Sequence, residues 1–91
     1  MWKEKVNTYK LLVFCKTPRT RKEIMKKFEL TPIEGWHCCK YMMKLRSDII
    51  VQKNVGITNK AYLYQTRRVS LEGIIQEKGK EEYDKYVEEL L

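Results

Sequence analysis

Ile33, His37, Lys40 and Lys44 carry the first chemical signal in this chain. At about 100° per helical residue they fall within one narrow arc, with Trp36 and Tyr41 at its edges and no acid among them. Gly35, Cys38, Met42 and Leu45 fall on the other side, with Cys39 and Met43 beside them, which marks that side as the core face. Lysine ammonium groups reach guanine acceptors or phosphate oxygens. Histidine donates to a base or a phosphate, and isoleucine meets a thymine methyl. Trp36 fits equally a base contact and a core edge. A basic face with aromatic edges has the character of a groove reader, although a plain solvated lysine face has the same composition.

Other chemistries find little support. The chain has one histidine, no Ser/His/Asp arrangement, no Gly-rich phosphate loop and no carboxylate pair in a plausible pocket, so no enzymatic activity is expected. Cys15, Cys38 and Cys39 are odd in number and lack C-x-x-C spacing. That argues against a disulfide scaffold and a zinc site, and no cofactor or small-molecule ligand is expected. Buried thiols acting as small hydrophobes are the expected reading. An inter-subunit disulfide would need a setting such as a hyperthermophile cytoplasm.

The elements that must position the basic face announce themselves by their caps. Thr20-Arg21-Lys22-Glu23 and Thr31-Pro32-Ile33-Glu34 both read T-x-x-E, the pattern in which Thr and Glu satisfy each other's backbone N–H groups at a helix start. Each cap contributes about 1 kcal/mol. Pro32 stands at the first helical position, where its missing N–H costs nothing. A helix over 20–28 and a second over 31–46, joined by a tight turn at Glu29-Leu30, make a helix-turn-helix. Before them, Trp2, Val6, Tyr9 and Val13 share one face of a helix over 3–16, and Leu11, Phe14 and Cys15 lie on other sides. A helix apolar nearly all round faces the core on one side and has a second side for a partner subunit. The run Leu11–Cys15 lacks polar alternation and also suits a strand; its length and flanking lysines favour helix. Thr17-Pro18-Arg19 reads as a turn.

After the second capped helix, Ile49–Lys53 and 61–66 read as two strands around a Gly/Asn loop, a β-hairpin. Ser70 is placed to cap a last helix over 70–91, whose apolar stripe drifts in phase across Gly79, where a kink or break is expected.

Ninety-one residues make one domain. The net charge of +7 is uneven: residues 1–71 hold 16 Lys/Arg against 5 Asp/Glu, and residues 72–91 hold 3 against 7. A basic body suits a polyanion partner, and the acidic tail needs a different role. No apolar run approaches the roughly 18 residues of a membrane span, so no membrane partner is expected, and the start lacks a signal-peptide pattern, which suggests a cytoplasmic protein.

The segment TPRTRKEIMKKFELT, the capped helix after it and the strands IIVQK and KAYLYQT together resemble the winged helix-turn-helix DNA-binding family, which includes small bacterial, archaeal and viral transcription regulators. The resemblance covers residues 4–66, with a C-terminal helix added. It departs from commoner members at Trp36-His37-Cys38-Cys39, where a Ser/Thr/Arg-rich run is usual. It implies a mainly α fold with a small β-hairpin, in the order helix-helix-helix-strand-strand-helix. It also implies sequence-specific binding of duplex DNA by a homodimeric transcription regulator. Helix 31–46 would enter the major groove and hairpin 49–66 would act as the wing. The expected DNA contacts are Arg19, Arg21 and Lys22 at the first capped helix; Thr31, Ile33, Trp36, His37, Lys40, Tyr41 and Lys44 on the second; and Lys53, Asn54, Asn59 and Lys60 at the hairpin tip. Val6, Leu71, Ile75, Tyr86 and Leu90 are the expected dimer interface. Two alternatives stay open: a winged helix that docks an acidic protein, and a sequence-independent architectural DNA binder.

Overall fold

The computed structural model describes residues 2–45, 47–53 and 62–90. Its helices are α1 (Trp2–Lys5), α2 (Thr8–Phe14), α3 (Arg21–Phe28), α4 (Pro32–Lys44), α5 (Arg68–Lys78) and α6 (Lys80–Leu90). Its strands are β1 (Arg19–Thr20), β2 (Ile49–Lys53) and β3 (Tyr62–Thr66), which form one antiparallel sheet in the order β1-β3-β2. Among the described residues the fold is thus mainly helical (68%) with a small sheet, an α+β fold. Both the expected hairpin strands and the two capped helices are present. The element order, however, is α1-α2-β1-α3-α4-β2-β3-α5-α6, richer than the order read from sequence.

Both T-x-x-E signatures close as full capping boxes. Glu23 N–H donates to Thr20 Oγ1 at 3.2 Å and Thr20 N–H to Glu23 Oε1 at 3.0 Å. Glu34 N–H donates to Thr31 Oγ1 at 3.3 Å and Thr31 N–H to Glu34 Oε1 at 3.0 Å. Between them α3 ends on Glu29, left-handed at φ 54°. That conformation costs a non-glycine residue about 1 kcal/mol; here it drops Leu30 into the core, where its N–H donates to Met25 O at 2.8 Å. Gly35 lets α4 lie close on α3: a Cβ there would overlap the Met25 side chain.

Three expectations are corrected. The first helix is two pieces, because Asn7 is extended and its Oδ1 accepts from the N–H groups of Tyr9 and Lys10, starting α2 afresh. Thr17-Pro18-Arg19 does not end as a turn. Arg19 and Thr20 pair with Tyr64 and Leu63 as β1, a contact across more than 40 residues that no local pattern announces. The last helix does break at Gly79, as the phase drift of its stripe predicts, at a φ of 87° and ψ of 154° open essentially to glycine alone; its start is what differs. Ser70 is not its cap. Arg67 holds that position with no side-chain capping bond to the helix start, and Ser70 Oγ donates to Asp48 Oδ1 at 2.9 Å.

Helix α2 is the hub. Leu11, Cys15, Ile24, Cys38 and Met42 are fully buried around it, and Phe14 meets Phe28 edge-on at 5.7 Å. A seven-residue helix leaves most of its end carbonyls without helical partners. The sheet supplies several: Thr66 Oγ1 donates to Leu12 O, Thr66 N–H to Cys15 O, and Arg19 Nε–H to Phe14 O. The hairpin base and α2 are thereby bonded into one frame. Among the described residues, no helix is long and apolar enough to cross a membrane.

Candidate nucleic-acid interface

The split of α4 into two faces follows the wheel except at Met43, which the wheel put beside the core face and which is exposed. Gly35, Cys38, Cys39 and Met42 are buried, while Ile33, Trp36, His37, Lys40 and Lys44 are exposed. Ile33 keeps 71% of its surface and Trp36 48%, so Trp36 is an outward residue rather than a core edge. Trp36 organises its neighbours: the His37 ring stands edge-on to it at 5.1 Å, and Lys40 Nζ lies 4.9 Å from its centroid. Arg21 and Lys22 are exposed at the start of α3, and Arg21 joins Met25, Pro32, Ile33 and Trp36 around a shallow apolar groove.

The single acid of α4, Glu34, is engaged. Lys5 Nζ donates to Glu34 Oε1 at 2.8 Å, and with the N–H of Thr31 this holds the carboxyl down at about 2. Lys5 was not read from the sequence as part of this face. It arrives because Asn7 ends α1 as a separate short helix that packs on α4. Lys3 arrives by the same route, with Nζ 5.4 Å from the Tyr41 ring.

Other expected contacts are placed differently. Tyr41 is half-buried against Trp2, centroids 5.2 Å apart, and does not stand free beside the lysines. Arg19 turns inward: besides its bond to Phe14 O, its guanidinium lies 4.2 Å from the Phe14 ring centre and 3.6 Å from Glu23 Oε2. The Thr31 hydroxyl is held at the helix cap. Lys53 is exposed at the end of β2; Asn54, Asn59 and Lys60 lie outside the described residues.

The expected dimer interface is corrected more sharply. Val6, Tyr86 and Leu90 are buried within the chain, and Leu71 and Ile75 are half-buried against the same core. The two apolar surfaces read as partner-facing, on the first and last helices, cover each other: α2 packs on α5 and α6. Polar contacts seal the join. Tyr9 Oη donates to Glu77 Oε1 at 2.7 Å, and Lys10 Nζ lies 2.5 Å from Glu89 Oε2. Sequence periodicity identifies a sticky face without saying whether its cover comes from the same chain.

The three cysteines are free and buried. Burial pushes the Cys15 and Cys38 thiols up to about 12. Burial also raises Cys39, which is hydrogen-bonded to the Tyr64 hydroxyl. Such thiols stay protonated and act as packing groups.

No family model, curated protein or solved structure matches the chain. A functional reading must therefore rest on the chemistry of the α4 face.

Proposed function

We propose that this chain is a winged-helix protein that binds duplex DNA sequence-specifically and regulates transcription. In this reading α4 enters the major groove and the β2–β3 hairpin is the wing against the flanking backbone. The observation that carries it is the outward face of α4: Lys40, Lys44 and His37 exposed, Arg21 and Lys22 beside them, and the helix's one acid already paired with Lys5. Cation-rich, acid-poor helix faces match the potential of a groove lined by phosphates. The frame adds support. The β1-β3-β2 sheet ties the hairpin base to the entry of α3, and α3 packs on α4.

One copy of the chain is the proposed binding unit. Val6, Tyr86 and Leu90 are spent in the core, so a second copy at a palindromic site would meet the first on another surface. A second reading, docking of an acidic protein on the same face, draws on the exposed Ile33 and Trp36.

Selection from random duplexes, followed by titration of the winners over salt, separates these readings. An enriched site whose binding is lost in the Lys40→Ala, Lys44→Ala double variant is the expected result. With about six phosphate contacts, affinity falls roughly a thousandfold between 50 and 200 mM salt. Steep salt dependence without enrichment would mean an architectural binder. No binding to any duplex at low salt would overturn the DNA reading and favour a protein partner.

A further inference from the structure

In a DNA-reading helix the N-terminal turns approach the base edges. In α4 those turns are short of hydrogen-bonding side chains. Thr31 Oγ1 is held by Glu34 N–H, and the Glu34 carboxylate is held by Thr31 N–H and Lys5. What faces outward is Pro32, Ile33, Trp36 and His37. With Met25 from α3, the first three line a continuous shallow apolar groove with Arg21 at its rim. Single exposed apolar residues need no explanation; a contiguous apolar patch rimmed by charge marks an interaction site. Arg21 at the rim and Lys40 over the Trp36 ring select a polyanion as the occupant.

Only one base presents an apolar group in the major groove: thymine, through its C5-methyl. We propose that the first two turns of α4 read thymine methyl groups, with Ile33 as the contact and Trp36 as the wall beside it. This rests on the DNA-binding reading above and specifies the chemistry of the site recognised: a core of thymines placed for methyl contact, not a run of guanines read by lysine. Lys40 fits this division of labour, since its ammonium is stationed over the Trp36 ring.

The test changes the DNA and leaves the protein intact. A duplex recovered by selection is compared with the same duplex carrying uracil for thymine in its core, which removes the methyl and nothing else. Binding is followed by fluorescence anisotropy at fixed salt. A buried methyl group corresponds to about a fourfold change in affinity, so two contacted thymines give roughly fifteenfold weaker binding to the uracil duplex. Ile33→Ala, at a position too exposed to threaten folding, is expected to bind both duplexes equally. Equal binding of thymine and uracil duplexes by the wild type, with site selectivity intact, would overturn methyl reading and leave the DNA function standing. Discrimination that survives in Ile33→Ala would overturn the assignment to Ile33. Failure to bind any duplex at low salt would overturn the DNA reading itself, and this inference with it.

Discussion

The α3–α4 pair and the α5–α6 pair are both two helices joined at a left-handed or glycine-only residue, Glu29 in one and Gly79 in the other. They dispose of their apolar surface in opposite ways. Residues 21–44 hold six Lys/Arg and three Asp/Glu and still turn Ile33 and Trp36 to solvent. Residues 68–90 hold four Lys/Arg and seven Asp/Glu and, Val69 apart, direct their large apolar side chains toward α2. One pair keeps an apolar surface inside a basic rim; the other closes its own surface and shows acid outside. An apolar patch left in water carries a cost, and in the proposed reading the DNA covers the one on α4.

The sharpest way to break this comparison is to truncate one side chain from each pair. Tyr86→Ala removes a buried ring from the α2–α6 join and should cost about 3 kcal/mol in urea unfolding, whereas Ile33→Ala should stay within about 0.5 kcal/mol. A mild Tyr86→Ala would mean that α6 does not seal the core as described. Next in size is Gly79→Ala. A side chain at φ 87° and ψ 154° should cost about 2 kcal/mol, again read by urea unfolding. No loss would show that α5 and α6 join through another conformation in solution.

Thr31→Ala tests the junction of the first pair. Losing the cap of α4 should cost about 1 kcal/mol while circular dichroism keeps its helical signature. The smallest effect is the pH response of Glu34. Its folded-state carboxyl is held at about 2, below the ordinary 4.5. Its contribution is therefore present above pH 4.5 and lost as pH falls toward 2. The stability gap between wild type and Glu34→Gln should be constant near neutrality and narrow across that window. A gap independent of pH would show that the Lys5 pair adds nothing in solution.

The parts legible in the sequence are those with local causes. Thr20 with Glu23, and Thr31 with Pro32 and Glu34, each act within one helical turn, so the starts of α3 and α4 and the basic face of α4 could be read directly, while α4 ends at Lys44 and not at 46. The strands β2 and β3 announced themselves by β-branched and aromatic residues around turn material. The misreadings have different causes, two local and one distant. Asn7 is compatible with a helix interior and with a cap, and its own side chain chose the cap. Arg19 has the type of a DNA contact, yet Phe14 and Glu23, brought close by folding, turn it inward. Tyr41 sat at the edge of the basic arc until Trp2 covered it.

The sequence by itself determined the two capped helices, the hairpin strands, the division of charge and which face of α4 is basic. Each follows from residues within a few positions of one another, through caps, periodicity and composition. Only the tertiary structure decided that β1 joins the sheet, that Lys5 pairs with Glu34, and that α2, α5 and α6 cover one another. Those outcomes depend on which distant surfaces meet. Periodicity marks a surface as apolar without naming its partner, because the hydrophobic effect is set by the area removed from water and not by the identity of what removes it.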